Sequence, residues 1–261
     1  MKISHECPLD LLETSLTFND YQYCLPRYYK KYSKYKEFFL KYRDKKDSFI
    51  ILDNGLYEGD SFTNEDLLVI INELNPDIFI LPDVWNDSYK TFNNAKYWID
   101  NIFLPRNINL MIVVQGKTYS EIHELVWDSI KIGINHFGFN HVSIAYNKIY
   151  PHSDNIISKI MGRIITINKL IEEDIWDKFK DCYIHLLGIN NPIELKLINK
   201  EFINSVDTSN PIIQGINNQR YSDFKLEPKP SEKIELFMEK DLASSIENII
   251  FNIQSFRKLC I

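Results

Sequence analysis

The sequence predicts an α/β protein, a single (β/α)8 TIM-like barrel, and three observations lead there. Short apolar runs alternate with amphipathic helical segments, which is the pattern of parallel βαβ units. Eight such runs can be counted along the chain. A length of 261 residues suits one such barrel and is long for a single sandwich or bundle.

The strand candidates are 2–5, 21–25, 48–53, 78–82, 110–114, 136–139, 183–187 and 202–206. Helix signals fill most of the gaps. Thr63-Asn-Glu-Asp66 reads as a capping box, followed by Leu67, Leu68, Ile70, Ile71 and Leu74 ahead of Pro76. Ser120 opens a helix through Ile122, Leu125, Val126 and Ile130 that stops at Gly133. Asn191 and Pro192 read as a cap and a first-turn proline. Residues 208–230, with Pro211, Gly215, Pro228 and Pro230, read as a functional loop and linker. A long C-terminal helix is expected over 231–259. No internal repeat is visible, so one domain over 1–261 is expected.

Composition narrows the classes. No window of 18 apolar residues occurs, which excludes a helical membrane span. The start of the chain has no apolar signal region, and Glu6 and Asp10 interrupt it early, so a cytoplasmic protein is expected. Cys7, Cys24, Cys182 and Cys260 are far apart and form no Cys/His cluster, so neither structural zinc nor a disulfide is expected. No metal or cofactor is called for. The net charge of −6 argues against general attraction to polyanions. Residues 27–46, however, carry nine basic and two acidic side chains interleaved with Tyr and Phe, hence +7 locally and −13 elsewhere. That stretch can bind phosphates and stack bases. The same pattern fits an amphipathic helix whose aromatics face the core, and both readings stay open.

Four strand candidates run straight into a polar residue: Asp53, Asp83, Gln115 with Gly116, and Asp207. In a parallel barrel the C-terminal strand ends converge on one mouth, where active sites are built. An Asp after a strand often caps the following helix. Four such residues in one ring make a less ordinary coincidence.

These segments resemble the tRNA-guanine transglycosylases and their phage relatives, the 7-deazaguanine DNA transglycosylases. Asp53-Asn-Gly-Leu-Tyr-Glu58 is similar to that family's Asp-Ser-Gly-Gly-Phe/Tyr-Gln, and Val114-Gln-Gly116 to its Val-Gln-Gly. His185-Leu-Leu-Gly188 resembles its His-Tyr-Leu-Met-Gly, and Asp207-Thr-Ser-Asn-Pro211 its Asp-Cys-Val-Leu-Pro. The motifs keep the family's order over residues 48–211. The opening His5-Glu-Cys-Pro8 and the lack of the zinc-binding insertion look more like the phage DNA-modifying branch, which implies work in a host cytoplasm.

The resemblance implies base exchange: guanine in DNA replaced by a free preQ-type 7-deazaguanine base, with Asp207 as nucleophile and Asp53 as acid and base. Exchange on the same face needs two inversions through a covalent sugar ester, as in retaining glycosidases. Asp83 would accept the guanine N1–H and 2-amino donors, and the Gln115 amide would donate to O6. Tyr57 would stack on the base, unless it is only a core aromatic. Gly116 and Gly188 would admit the base close to backbone, unless they merely serve turns. Asn54 stands where the family has Ser, and Gly138-Phe-Asn-His-Val-Ser143 replaces the Gly-Leu-Ala-Val-Gly-Gly that reads the 7-substituent. The same exchange on tRNA is the alternative. A non-catalytic nucleic-acid or partner-binding paralogue is another, against which the presence of Asp207 and Asp53 argues. A hydrolase of free nucleosides would leave the Tyr/Lys stretch without a purpose. The sequence leaves the oligomeric state and any need for partner proteins open.

Overall fold

A computed structural model describes residues 1–260 apart from 58, 60, 61, 106, 174, 175, 180 and 222–227. Eight strands form one parallel sheet: β1 Lys2–His5, β2 Gln22–Cys24, β3 Ile50–Leu52, β4 Ile78–Ile80, β5 Asn109–Val113, β6 His136–Asn140, β7 Tyr183–Leu187 and β8 Ser205–Thr208. The order β1-β8-β7-β6-β5-β4-β3-β2 curls the sheet into a nearly closed barrel. At the seam between β1 and β2, the Tyr23 N–H donates to Ser4 Oγ at 3.2 Å. All eight expected strands are present. Some read as plain apolar runs because a barrel strand is buried on both faces, as at Ile50–Leu52 and Ile78–Ile80, whereas β1 Lys2–His5 and β8 Ser205–Thr208 carry polar residues.

Helices alternate with the strands. α1 is Leu12–Ser15, α2 Pro26–Lys31, α3 Ser33–Arg43, α4 Asn64–Leu74, α5 Ser88–Asn101 and α6 Tyr119–Lys131. α7 is Ile144–Ile149, α8 Asn155–Glu172, α9 Trp176–Phe179, α10 Glu194–Leu197, α11 Asn210–Ile216 and α12 Ile246–Cys260. The capping box is formed as expected, with Thr63 Oγ1 accepting from Asp66 N and the Asp66 carboxylate accepting from Thr63 N. α6 is capped by Thr118 rather than Ser120, because the Thr118 side chain reaches the Glu121 N–H. α10 starts at Glu194 with Ile193 as its N-cap and no side-chain capping bond; the expected cap, Asn191, instead accepts from Ile193 N in the turn before the helix, where Pro192 also lies. Among the described residues, no helix is long and apolar enough to cross a membrane.

The terminal helix expected over 231–259 forms only in its second half, as α12. A 3-10 turn at Ile234–Phe237 and an irregular passage precede α12. Ile234, Phe237, Met238 and Leu242 have helical spacing, which explains the expectation, and they are buried. They are held by the chain's beginning instead: Leu9 N–H donates to Met238 O, and Leu242 N–H to Asp10 Oδ2. Burial against another segment overrides a local helical preference. The expected 208–230 loop likewise begins with β8 and α11, and its positions 222–227 lie outside the described residues.

The stretch 27–46 forms α2 and α3, and Tyr28, Tyr29, Tyr35, Phe38 and Phe39 are buried. Its cations are largely matched by acids, including Arg27 with Glu235, Lys30 with Asp66, Lys36 with Glu73 and Arg43 with Asp77. Its buried aromatics are core residues and cannot stack bases.

Behind the mouth, α7 and α8 touch backbone to backbone at Gly162. A Cβ there would collide with the carbonyl oxygen, Cα and C of Tyr146. Gly162→Ala is therefore expected to lower Tm by several degrees, about 1–3 kcal/mol, in thermal unfolding followed by circular dichroism. An unchanged Tm would show that this contact is not tight.

Candidate active site

Asp53, Asp83, Gln115 and Asp207 line one cleft of about 710 Å³, although they come from the ends of four different strands. Asn54, Tyr57 and Gly188 line it too, and Gly116 does not. Gly116 instead lies under α6, where a Cβ would press on Ile122 and Glu121, so its small size serves helix packing.

Asp207 sits inside β8 and is almost wholly buried. Its Oδ1 accepts from His185 Nε2 at 3.0 Å and from the Gly188 N–H at 3.0 Å. Burial alone would raise its pKa, but the hydrogen bond and charge of His185, the Gly188 amide and a hydrogen bond from Glu6 outweigh it and hold the carboxyl below its ordinary value. An ionised carboxylate only accepts, which fixes the proton on His185 Nε2 and leaves Nδ1 facing Ser205 Oγ at 2.6 Å. Gly188 has φ +69°, and a Cβ there would strike His141, so this glycine serves the turn and the packing of the His141 ring.

Asp53 is handled differently. Tyr23 OH donates to its Oδ1 at 3.0 Å and the Gly55 N–H to its Oδ2 at 3.2 Å. Burial nevertheless dominates, with help from the negative Asp207, and lifts its pKa to about 6. A carboxyl near neutrality can give a proton and take one back.

Asp83 and Gln115 form a fixed pair. Gln115 Nε2 donates to Asp83 Oδ2 at 2.6 Å, and Gln115 Oε1 accepts from Asn86 N at 2.9 Å. The backbone donor settles the amide orientation, so Nε2 keeps one hydrogen for a ligand. Asn54 spends both amide hydrogens, on Leu81 O and on Asp83 Oδ1, each at 2.8 Å. Its role is to position Asp83 rather than to donate to a ligand. Burial raises the Asp83 pKa, and these two amides restrain the rise.

At the mouth, Tyr57 is 45% exposed and Trp85 38% exposed, so neither is a core aromatic. Tyr57 lies 5.6 Å from the His141 ring and 6.4 Å from Trp85, centroid to centroid. Together they make an aromatic rim on which a flat ring can lie. Burial, aided by Arg163 and Lys229, lowers the His141 pKa to about 3, so its imidazole is neutral.

Sequence reasoning gave no site role to Glu6, Tyr23, Trp85 and Lys229, which also line the cleft, while Asn140 and His141 come from the quoted segment Gly138–Ser143. For Glu6 the signal is that it follows a predicted strand, as the four chosen residues do. His185 reads as a satisfied core histidine, and it is one, but what satisfies it is Asp207. His5 is buried with both ring nitrogens unpaired, and burial takes its pKa down to about 3. Among the described residues no group of three or more His, Cys, Asp or Glu is placed to hold a metal ion.

No protein-family model matches the chain, and no curated protein matches it. The likeness to transglycosylases thus stands on the motifs quoted above.

Glu6 generates a pH signature. Burial and the neighbouring Asp207 raise its pKa to about 8, against the opposing effect of Lys229. An acid whose folded pKa is raised contributes stability that is complete below its unfolded pKa and is lost as pH climbs through about 8. Glu6→Gln removes that loss. Its Tm relative to the parent protein is expected to rise between the ordinary glutamate range and pH 8; parallel Tm–pH curves would rule out the raised pKa.

Proposed function

We propose that the protein exchanges guanine in DNA for a free preQ-type 7-deazaguanine through a covalent Asp207–sugar ester. The observation that carries this reading is the convergence of Asp53, Asp83, Gln115 and Asp207 on one cleft with their protonation preferences driven apart. Pairs of carboxyls tuned to different charge states mark acid–base and nucleophile assignments.

In the first half-reaction the ionised Asp207 attacks C1′ as the C1′–N9 bond breaks, and protonated Asp53 gives its proton to the departing guanine. In the second, the Asp53 carboxylate takes the N9 proton of the incoming 7-deazaguanine. N9 then attacks C1′ and the ester bond to Asp207 breaks. Two inversions give net retention and leave the strand intact. Asp83 accepts the two donors of the base edge, and the remaining Gln115 amide hydrogen meets O6. The Tyr57–Trp85–His141 rim stacks the base. A base paired in a duplex must be flipped out to reach this cleft. The same steps on tRNA are the second reading, and a side-by-side assay on both polymers separates them.

Labelled guanine is expected to be released from DNA when a 7-deazaguanine base is supplied. Asp207→Asn is expected to reduce that release on the order of a thousandfold or more. Full activity in Asp207→Asn would remove the nucleophile and the mechanism with it. Asp83→Asn presents a donor where the base needs an acceptor. It is expected to raise KM for the free base on the order of tenfold or more, read in the same assay by titrating the base.

A further inference from the structure

Lys229 borders two spaces at once. It lines the cleft beside Asn190, Ser209 and Asp207, and it lines an open groove of about 790 Å³ on its other side. Its backbone is anchored: the Lys229 N–H donates to Asn190 O at 2.6 Å, and Gln214 Nε2 donates to Pro228 O at 2.8 Å. Among the described residues, its ammonium makes no ion pair and no hydrogen bond. It acts through space on Glu6 and His141, both cleft residues.

Two polar side chains beside it are also unsatisfied. Ser209 is wholly buried, lines the cleft, and its hydroxyl has no partner. The Asn190 side-chain oxygen is buried without a partner as well, and no described hydrogen bond fixes that amide's orientation. Buried polar groups in native proteins are nearly always bonded, so two idle buried groups next to a half-exposed, unpaired ammonium on one cleft call for a ligand. A hydroxyl, an amide NH2 and an ammonium are all donors, and the ligand that takes several donors at once is an oxyanion. Their place agrees: Asn190 follows β7 and Ser209 follows β8, the corner where barrels commonly hold phosphate. Ser209 is two residues beyond Asp207, so an anion held there lies beside any sugar that Asp207 touches.

We propose that Lys229, Ser209 and Asn190 hold a backbone phosphate of the nucleotide whose sugar meets Asp207. The cleft then takes a nucleotide within a strand rather than a free nucleoside, and the strand leaves past Lys229 into the neighbouring groove. The placing of the sugar rests on the base-exchange reading; the anion site itself does not.

The test uses a short single-stranded DNA carrying one guanine, with Kd measured by fluorescence anisotropy across a salt series. Each phosphate contact adds about 0.7 to the slope of log Kd against log salt for a single strand. Lys229→Gln is expected to flatten the slope by about that amount and to weaken binding on the order of tenfold at low salt, while Lys229→Arg stays near the parent. Replacing the phosphates flanking the guanine one at a time by neutral methylphosphonate is expected to weaken the parent at one position and to leave Lys229→Gln unaffected there. An unchanged slope in Lys229→Gln, or equal methylphosphonate sensitivity in both proteins, overturns the site. A lysine serving only to neutralise Glu6 would shift the pH dependence of Tm and leave the salt slope alone. Guanine release is followed in the same samples. Release with an unaltered slope overturns the phosphate site alone, whereas a Lys229-dependent slope without release overturns base exchange and leaves the phosphate site standing.

Discussion

Carboxyls at the mouth of a barrel must leave water, the donors that replace it decide which of them stay charged, and the architecture of this protein is organised around that constraint. Removing an ionised carboxyl from solvent is costly unless donors replace the water. Asp207 receives a ring N–H, a backbone amide and the Glu6 carboxyl, and stays ionised. Asp53 receives a phenol and the backbone amides of Gly55 and Asn54, which do not suffice, and its pKa settles near 6. Asp83 receives two side-chain amides. The kind of donor, a charged or carboxyl partner against neutral ones, separates Asp207 from Asp53 more than their shared carboxyl chemistry does.

The donors are themselves held in place by a charge pair deeper in the structure. Arg163 of α8 is completely buried and ion-paired to Glu194. Its guanidinium also donates to Phe139 O at 3.0 Å and to Gly188 O at 3.1 Å, so it ties the ends of β6 and β7 together. A buried pair of this kind is weak evidence for stability, because desolvation offsets much of the attraction. What it supplies here is geometry. With the Gly188 carbonyl held from behind, the Gly188 N–H points at Asp207. The same loop end meets His141, so the aromatic rim and the nucleophile's amide share one support.

The sequence was most informative where burial on both faces forces plain apolar runs. β3, β4 and most of β5 were legible for that reason, and a polar residue at the end of such a run was a sound guide to the mouth. It was least informative where periodicity has two causes. Residues 234–242 carry helical spacing because they pack on the N-terminal segment, and Tyr28, Tyr35 and Phe39 alternate with lysines because one helix face is core and the other is wet. Gly116 sits in a motif-like triplet but answers to a helix above it.

The order of apolar and polar residues thus determined the barrel and nominated Asp53, Asp83, Gln115 and Asp207, because strand period and strand end are local properties. Only the tertiary structure decided which donors each of them meets. Glu6 and Asp207 are 201 positions apart in the chain and share a hydrogen bond; Arg163 of α8 grips the carbonyl of Gly188, just past the end of β7. Protonation state depends on the dielectric and the partners that folding assembles, and no local pattern encodes those.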